Sequence, residues 1–90
     1  MKLEKTDADY LMKRAVRHWI FGFPMSIINL EFKRNNVFIS NSTLRVRIYR
    51  YKETLTYDDL IDILRTIDLP EEVLMPEKML ARKGIYREEK

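Results

Sequence analysis

MSIINLEFKRNNVFISNSTLRVRIYRYK, residues 25–52, is dense in β-branched and aromatic side chains and carries two polar pairs, Asn35-Asn36 and Asn41-Ser42. Polar pairs of this kind between apolar runs mark tight turns, and the runs themselves favour extended backbone. Taken as two hairpin loops, the pairs fix a register. Phe32 faces Ile39 and Lys33 faces Phe38 around the first loop; Ile39 faces Leu44 and Phe38 faces Arg45 around the second. Cross-strand partners share a face, so Ile28, Leu30, Phe32, Val37, Ile39, Leu44, Val46 and Ile48 gather on one side. Asn29, Glu31, Lys33, Phe38, Ser40, Thr43, Arg45, Arg47, Tyr49 and Tyr51 gather on the other.

The flanks read as helices. Thr6 with Asp9 has the spacing of a capping box, and Ala8, Leu11, Met12, Ala15, Val16, Trp19 and Ile20 follow at helical intervals. Gly22 and Pro24 stop that helix. Thr56 with Asp59 repeats the cap before a second stripe, Tyr57, Leu60, Ile61, Leu64 and Ile67. Pro70 ends it and opens a short helix to about residue 75, and Pro76 opens another that Gly84 closes. The predicted fold class is therefore α+β: an α-β-β-β-α order in which helices cover the apolar face of a three-stranded antiparallel meander, plus a short C-terminal helical extension. Residues 1–90 form a single small domain, with 1–5 and 87–90 loose.

Composition excludes several classes. Apolar residues at 46% and charged residues at 34% describe a globular chain rather than a disordered one. Without cysteine there is no disulfide framework, thiolate nucleophile or zinc finger, which fits a cytoplasmic setting. The longest apolar run, from Trp19 to Ile28, is interrupted by Gly22, Pro24 and Ser26 and reaches only half of the roughly 20 residues that span a bilayer. Glu4, Asp7 and Asp9 stand where a signal peptide would be apolar. The sole histidine, His18, has no serine or cysteine at a suggestive spacing, and neither glycine belongs to a phosphate-cradling loop. Asp58, Asp59 and Asp62 form the one carboxylate cluster and read as complements to a helix dipole rather than as a metal site. A non-enzymatic protein without cofactor or metal is expected.

Charge is distributed unevenly. Residues 23–52 carry six basic and one acidic group, whereas residues 53–69 carry one and five. On the predicted outer sheet face, Lys33, Phe38, Arg45, Arg47, Tyr49 and Tyr51 mix cations suited to phosphates with rings suited to stacking on bases. Lys13, Arg14 and Arg17 of the first helix add to that surface. Nucleic-acid binding is the leading expectation. The same residues suit a protein interface, so an adaptor or inhibitor docking on a larger, nucleic-acid-associated machine is the alternative. Phe21, Phe23 and Tyr86 lie outside both helical stripes and fit either the core margin or a homodimer contact.

The α-β-β-β-α order resembles that of the double-stranded-RNA-binding domain, in which a lysine-rich motif at the start of the last helix straddles phosphates; here Tyr57, Asp58 and Asp59 occupy that place. The order with an extra terminal helix also looks like some small phage-encoded inhibitors of bacterial defence systems, anti-CRISPR proteins among them. Each resemblance is one of element order.

Overall fold

A computed structural model describes residues 5–66, 70 and 75–87, and every regular element among them is a helix. These are α1 (Lys5–Ile20), α2 (Met25–Arg34), α3 (Asn41–Glu53), α4 (Tyr57–Arg65) and α5 (Pro76–Arg82). The predicted α+β fold is therefore wrong: the described residues contain no strand, and the stretch expected to form a meander forms α2, a short connection and α3. The two resemblances, which rested on the strand order, fall with it.

The reason lies in the spacing. Ile28 and Phe32 are buried on α2, and Leu44 and Ile48 are buried on α3. Each pair is four residues apart, a separation that returns to the same face in both a helix and a strand. The positions between them separate the two readings. Leu30 and Val46 would point inward in a strand, yet they are 44% and 46% exposed, because in a helix they lie about 200° from Ile28 and Leu44.

The turn signals were also real but belonged to helix ends. Asn36 has φ 62°, and its N–H donates to the Lys33 carbonyl while the Val37 N–H donates to that of Phe32. That pair of bonds closes α2 in a Schellman motif, with asparagine supplying the left-handed residue. Gly22 and Gly84 end α1 and α5 in the same way, at φ 91° and 73°. Ser40 is the N-cap of α3: its hydroxyl accepts from the Thr43 N–H at 3.1 Å. Asn41 and Ser42 therefore open a helix instead of turning a hairpin.

The chain divides into two units, Met1–Thr54 and Leu55–Lys90. In the first, α1, α2 and α3 pack on one another. Leu11, Ala15, Val16 and Ile20 of α1 join Ile28, Phe32, Leu44 and Ile48 as its buried apolar residues. Full burial of each large one stabilises by about 1.5–3 kcal/mol. The first turn of α1 begins at Lys5, one residue before the Thr6 expected to cap it.

In the second unit α4 packs against α5. Thr56 and Asp59 form the expected capping box, each side chain bonding the other's backbone N–H, and Leu60, Ile61, Ile63 and Leu64 are buried. Pro76 occupies the first turn of α5, as the sequence predicts. Arg87 pairs with Asp58 at 2.9 Å and lies over the Tyr57 ring, joining the end of the unit to the first turn of α4. The calls on residues 1–4, Ile67, 71–74 and 88–90 lie outside the described residues.

Candidate functional site

Removing the sheet removes the surface on which the candidate residues were assembled. Arg45 and Arg47, neighbours on one face of a strand, lie about 200° apart around α3. Lys33 is exposed in the last turn of α2, and Phe38 is 74% exposed in the connection to α3. Tyr49 packs edge-on against Trp19, with ring centroids 5.5 Å apart, and Lys52 reaches over both rings. Tyr51 is half-buried, and its hydroxyl donates to the exposed Asp9 carboxylate on α1. Lys13 pairs with the same carboxylate at 3.2 Å. Bonds from Tyr51 and then Lys13 hold the Asp9 carboxyl below its ordinary range.

Arg14 is engaged too. Its Nε–H donates to Glu31, and this bond raises its proton affinity. Arg17 is half-buried in the last turn of α1, where burial lowers its proton affinity. Among the nine expected site residues, therefore, Lys13, Arg14, Tyr49 and Tyr51 are ones that serve in contacts within the first unit. No platform that could stack a splayed single strand brings Phe38, Tyr49 and Tyr51 together, and nucleic-acid binding on an outer sheet face is overturned.

A different grouping takes its place on α3. Only Leu44 and Ile48 of this helix are buried, so Asn41, Ser42, Thr43, Arg45, Val46, Arg47, Tyr49 and Arg50 all stand exposed. Arg45, Arg47 and Arg50 make no ion pair with another described residue. The first turn of α3 has no acidic residue, whereas that of α4 carries Asp58 and Asp59. The partial positive charge at a helix N-terminus is thus left open on α3 and neutralised on α4. Across whole units the contrast persists. Met1–Thr54 holds 11 basic and 5 acidic residues, and Leu55–Lys90 holds 6 and 9.

In a strand Arg50 has inward parity, Asn41 and Ser42 fill a turn and Thr43 opens the next strand, whereas on the helix all four are exposed. The run Ser40-Asn41-Ser42-Thr43 carried the missing signal, since a serine followed by polar residues and placed four residues before the first periodic apolar position, Leu44, is a helix cap. Among the described residues no group of three histidine, cysteine or acidic side chains is placed to hold a metal, and no helix is long and apolar enough to cross a membrane. Comparisons of the chain with protein-family models, curated proteins and solved structures find no match.

Proposed function

We propose that the first unit binds duplex DNA by presenting the exposed side of α3 to the major groove, and that it does so as a non-enzymatic cytoplasmic protein. The observation that carries this reading is the make-up of α3. It is a 13-residue helix whose N-terminal turn exposes Asn41, Ser42 and Thr43, followed by Arg45, Arg47 and Arg50. The major groove admits one α-helix, and helical readers of DNA contact base edges from the N-terminal part of the inserted helix. The Ser42 and Thr43 hydroxyls suit base edges, the Asn41 side-chain carbonyl being held by Asn29. Arginines on both flanks suit the phosphate strands that border the groove.

The packing of α3 against both α1 and α2 supports this use, because a helix held from behind by two others leaves its outer side free. Spacing of the arginines around α3, which defeats a flat platform, suits a cylinder lying between two strands of phosphate.

An anisotropy titration with mixed-sequence duplex DNA tests the reading. Affinity should fall steeply with salt, with a slope of roughly −0.9 per phosphate contacted. Replacing Arg45, Arg47 and Arg50 together by glutamine should reduce both affinity and slope while leaving the helical circular dichroism intact. Absence of duplex binding at low salt, or binding unchanged in the triple variant, overturns it.

A further inference from the structure

On the side of the first unit formed by α1 and α2 lies a cavity of about 300 Å³, lined by Arg14, His18, Phe23, Ile27, Leu30, Glu31 and Arg34. Its walls are of two kinds. Phe23, Ile27 and Leu30 are 47%, 50% and 44% exposed, large apolar groups left facing water along one strip that continues to Arg34. Opposite them, Glu31 receives the Arg14 Nε–H, and its second oxygen stands 4.0 Å from His18 Nδ1. The His18 ring is held edge-on to Phe23, 5.5 Å between centroids. Arg34 is exposed and bonds to no other described residue.

We propose that this cavity binds a small amphipathic carboxylate, with its apolar body along Phe23, Ile27 and Leu30 and its carboxylate on Arg34. Charge decides the sign of the ligand. Glu31 offsets Arg14, and burial lowers the proton affinity of His18, against the opposing pull of Glu31, so the lining keeps one uncompensated cation. A guanidinium receives a carboxylate through two parallel N–H···O bonds, which a neutral head group does not reproduce. Size decides the rest. A pocket of about 300 Å³ open on one side suits a small ligand on the scale of a medium-chain or aryl carboxylate. It lies at the lower limit of ordinary ligand pockets. The proposal is independent of the reading of α3.

Octanoate is the probe and octanol its uncharged control, followed by amide NMR shifts. Octanoate should give saturable shifts confined to the cavity residues, and octanol should bind about tenfold more weakly. Arg34→Gln, at an exposed position, should abolish the preference, while Ile27→Asn should weaken both ligands alike. Shifts that do not saturate or that centre elsewhere, equal binding of octanol, or an unchanged preference in Arg34→Gln each overturn the proposal.

Discussion

The carboxamide nitrogen of Asn29 on α2 donates to Asn41 Oδ1 on α3 at 2.8 Å. The same nitrogen donates to the Ile39 carbonyl at 2.9 Å, so one side chain ties α2 to the end of the connection and to the first residue of α3. Asn29 is 2% exposed, and its own Oδ1 has no hydrogen-bond partner among the described residues. An asparagine kept at that cost is one whose two donated bonds set where α3 begins. Asn29→Ala should destabilise the protein by about 1–3 kcal/mol in urea unfolding. Asn29→Asp should be worse, because it presents a buried carboxylate to two acceptors. An aspartate variant as stable as the alanine variant would refute this role.

Ile48 and Val46 separate the helical arrangement from the sheet that the sequence suggested. Ile48 is fully buried and Val46 is 46% exposed. Ile48→Ala should cost about 2–5 kcal/mol, whereas Val46→Lys should stay within about 0.5 kcal/mol of the parent. In the three-stranded register both side chains would enter the core and both changes would be damaging. Thermal melts of the two variants give the answer directly.

Much of the local chemistry was readable, and the fold class was lost at one point. Gly22, Gly84, Pro76 and the Thr56–Asp59 box all punctuate helices where the sequence placed them. Residues 25–52 failed because Ile28 and Phe32, or Leu44 and Ile48, satisfy both periods, and β-branched residues such as Ile39 and Val46 tipped the choice toward strands. Tertiary packing against α1 overrode that preference. Asn36 compounded the error, since a residue tolerant of left-handed backbone serves a hairpin turn and a helix C-terminus equally. Asn36→Gly should therefore be close to neutral, and Asn36→Val should cost about 1–2 kcal/mol, the strain of a β-branched residue at φ 62°.

The capping box gives a local prediction for the second unit. The Thr56 hydroxyl accepts from the Asp59 N–H at 3.1 Å, and Asp59 Oδ2 accepts from the Thr56 N–H at 2.9 Å. Thr56→Ala should cost about 1 kcal/mol, and Thr56→Gly less than that. Amide exchange should quicken in the first turn of α4 and remain unchanged in α2. Equal protection of the α4 amides in parent and alanine variant would remove the box from the account.

His18 predicts how stability responds to mild acid. Burial is the first cause lowering its proton affinity from an ordinary 6.5; Glu31 opposes, while Arg14 and Arg17 reinforce the lowering. Because the folded pKa lies below the unfolded one, the unfolded chain binds more protons between the two values, and stability rises with pH across that window. The contribution is complete above the unfolded pKa near 6.5 and is lost as pH falls toward the lowered folded value. Asp9 acts in a separate range: its carboxyl is held below the ordinary 3.8, so its contribution is present above that value and is lost only in stronger acid. His18→Gln should therefore flatten the stability profile just below pH 6.5 while leaving the acid limb in place, and Asp9→Asn should do the reverse. Urea midpoints measured across both ranges check the assignment. A His18→Gln profile that still slopes in the upper window would place that proton uptake on another group.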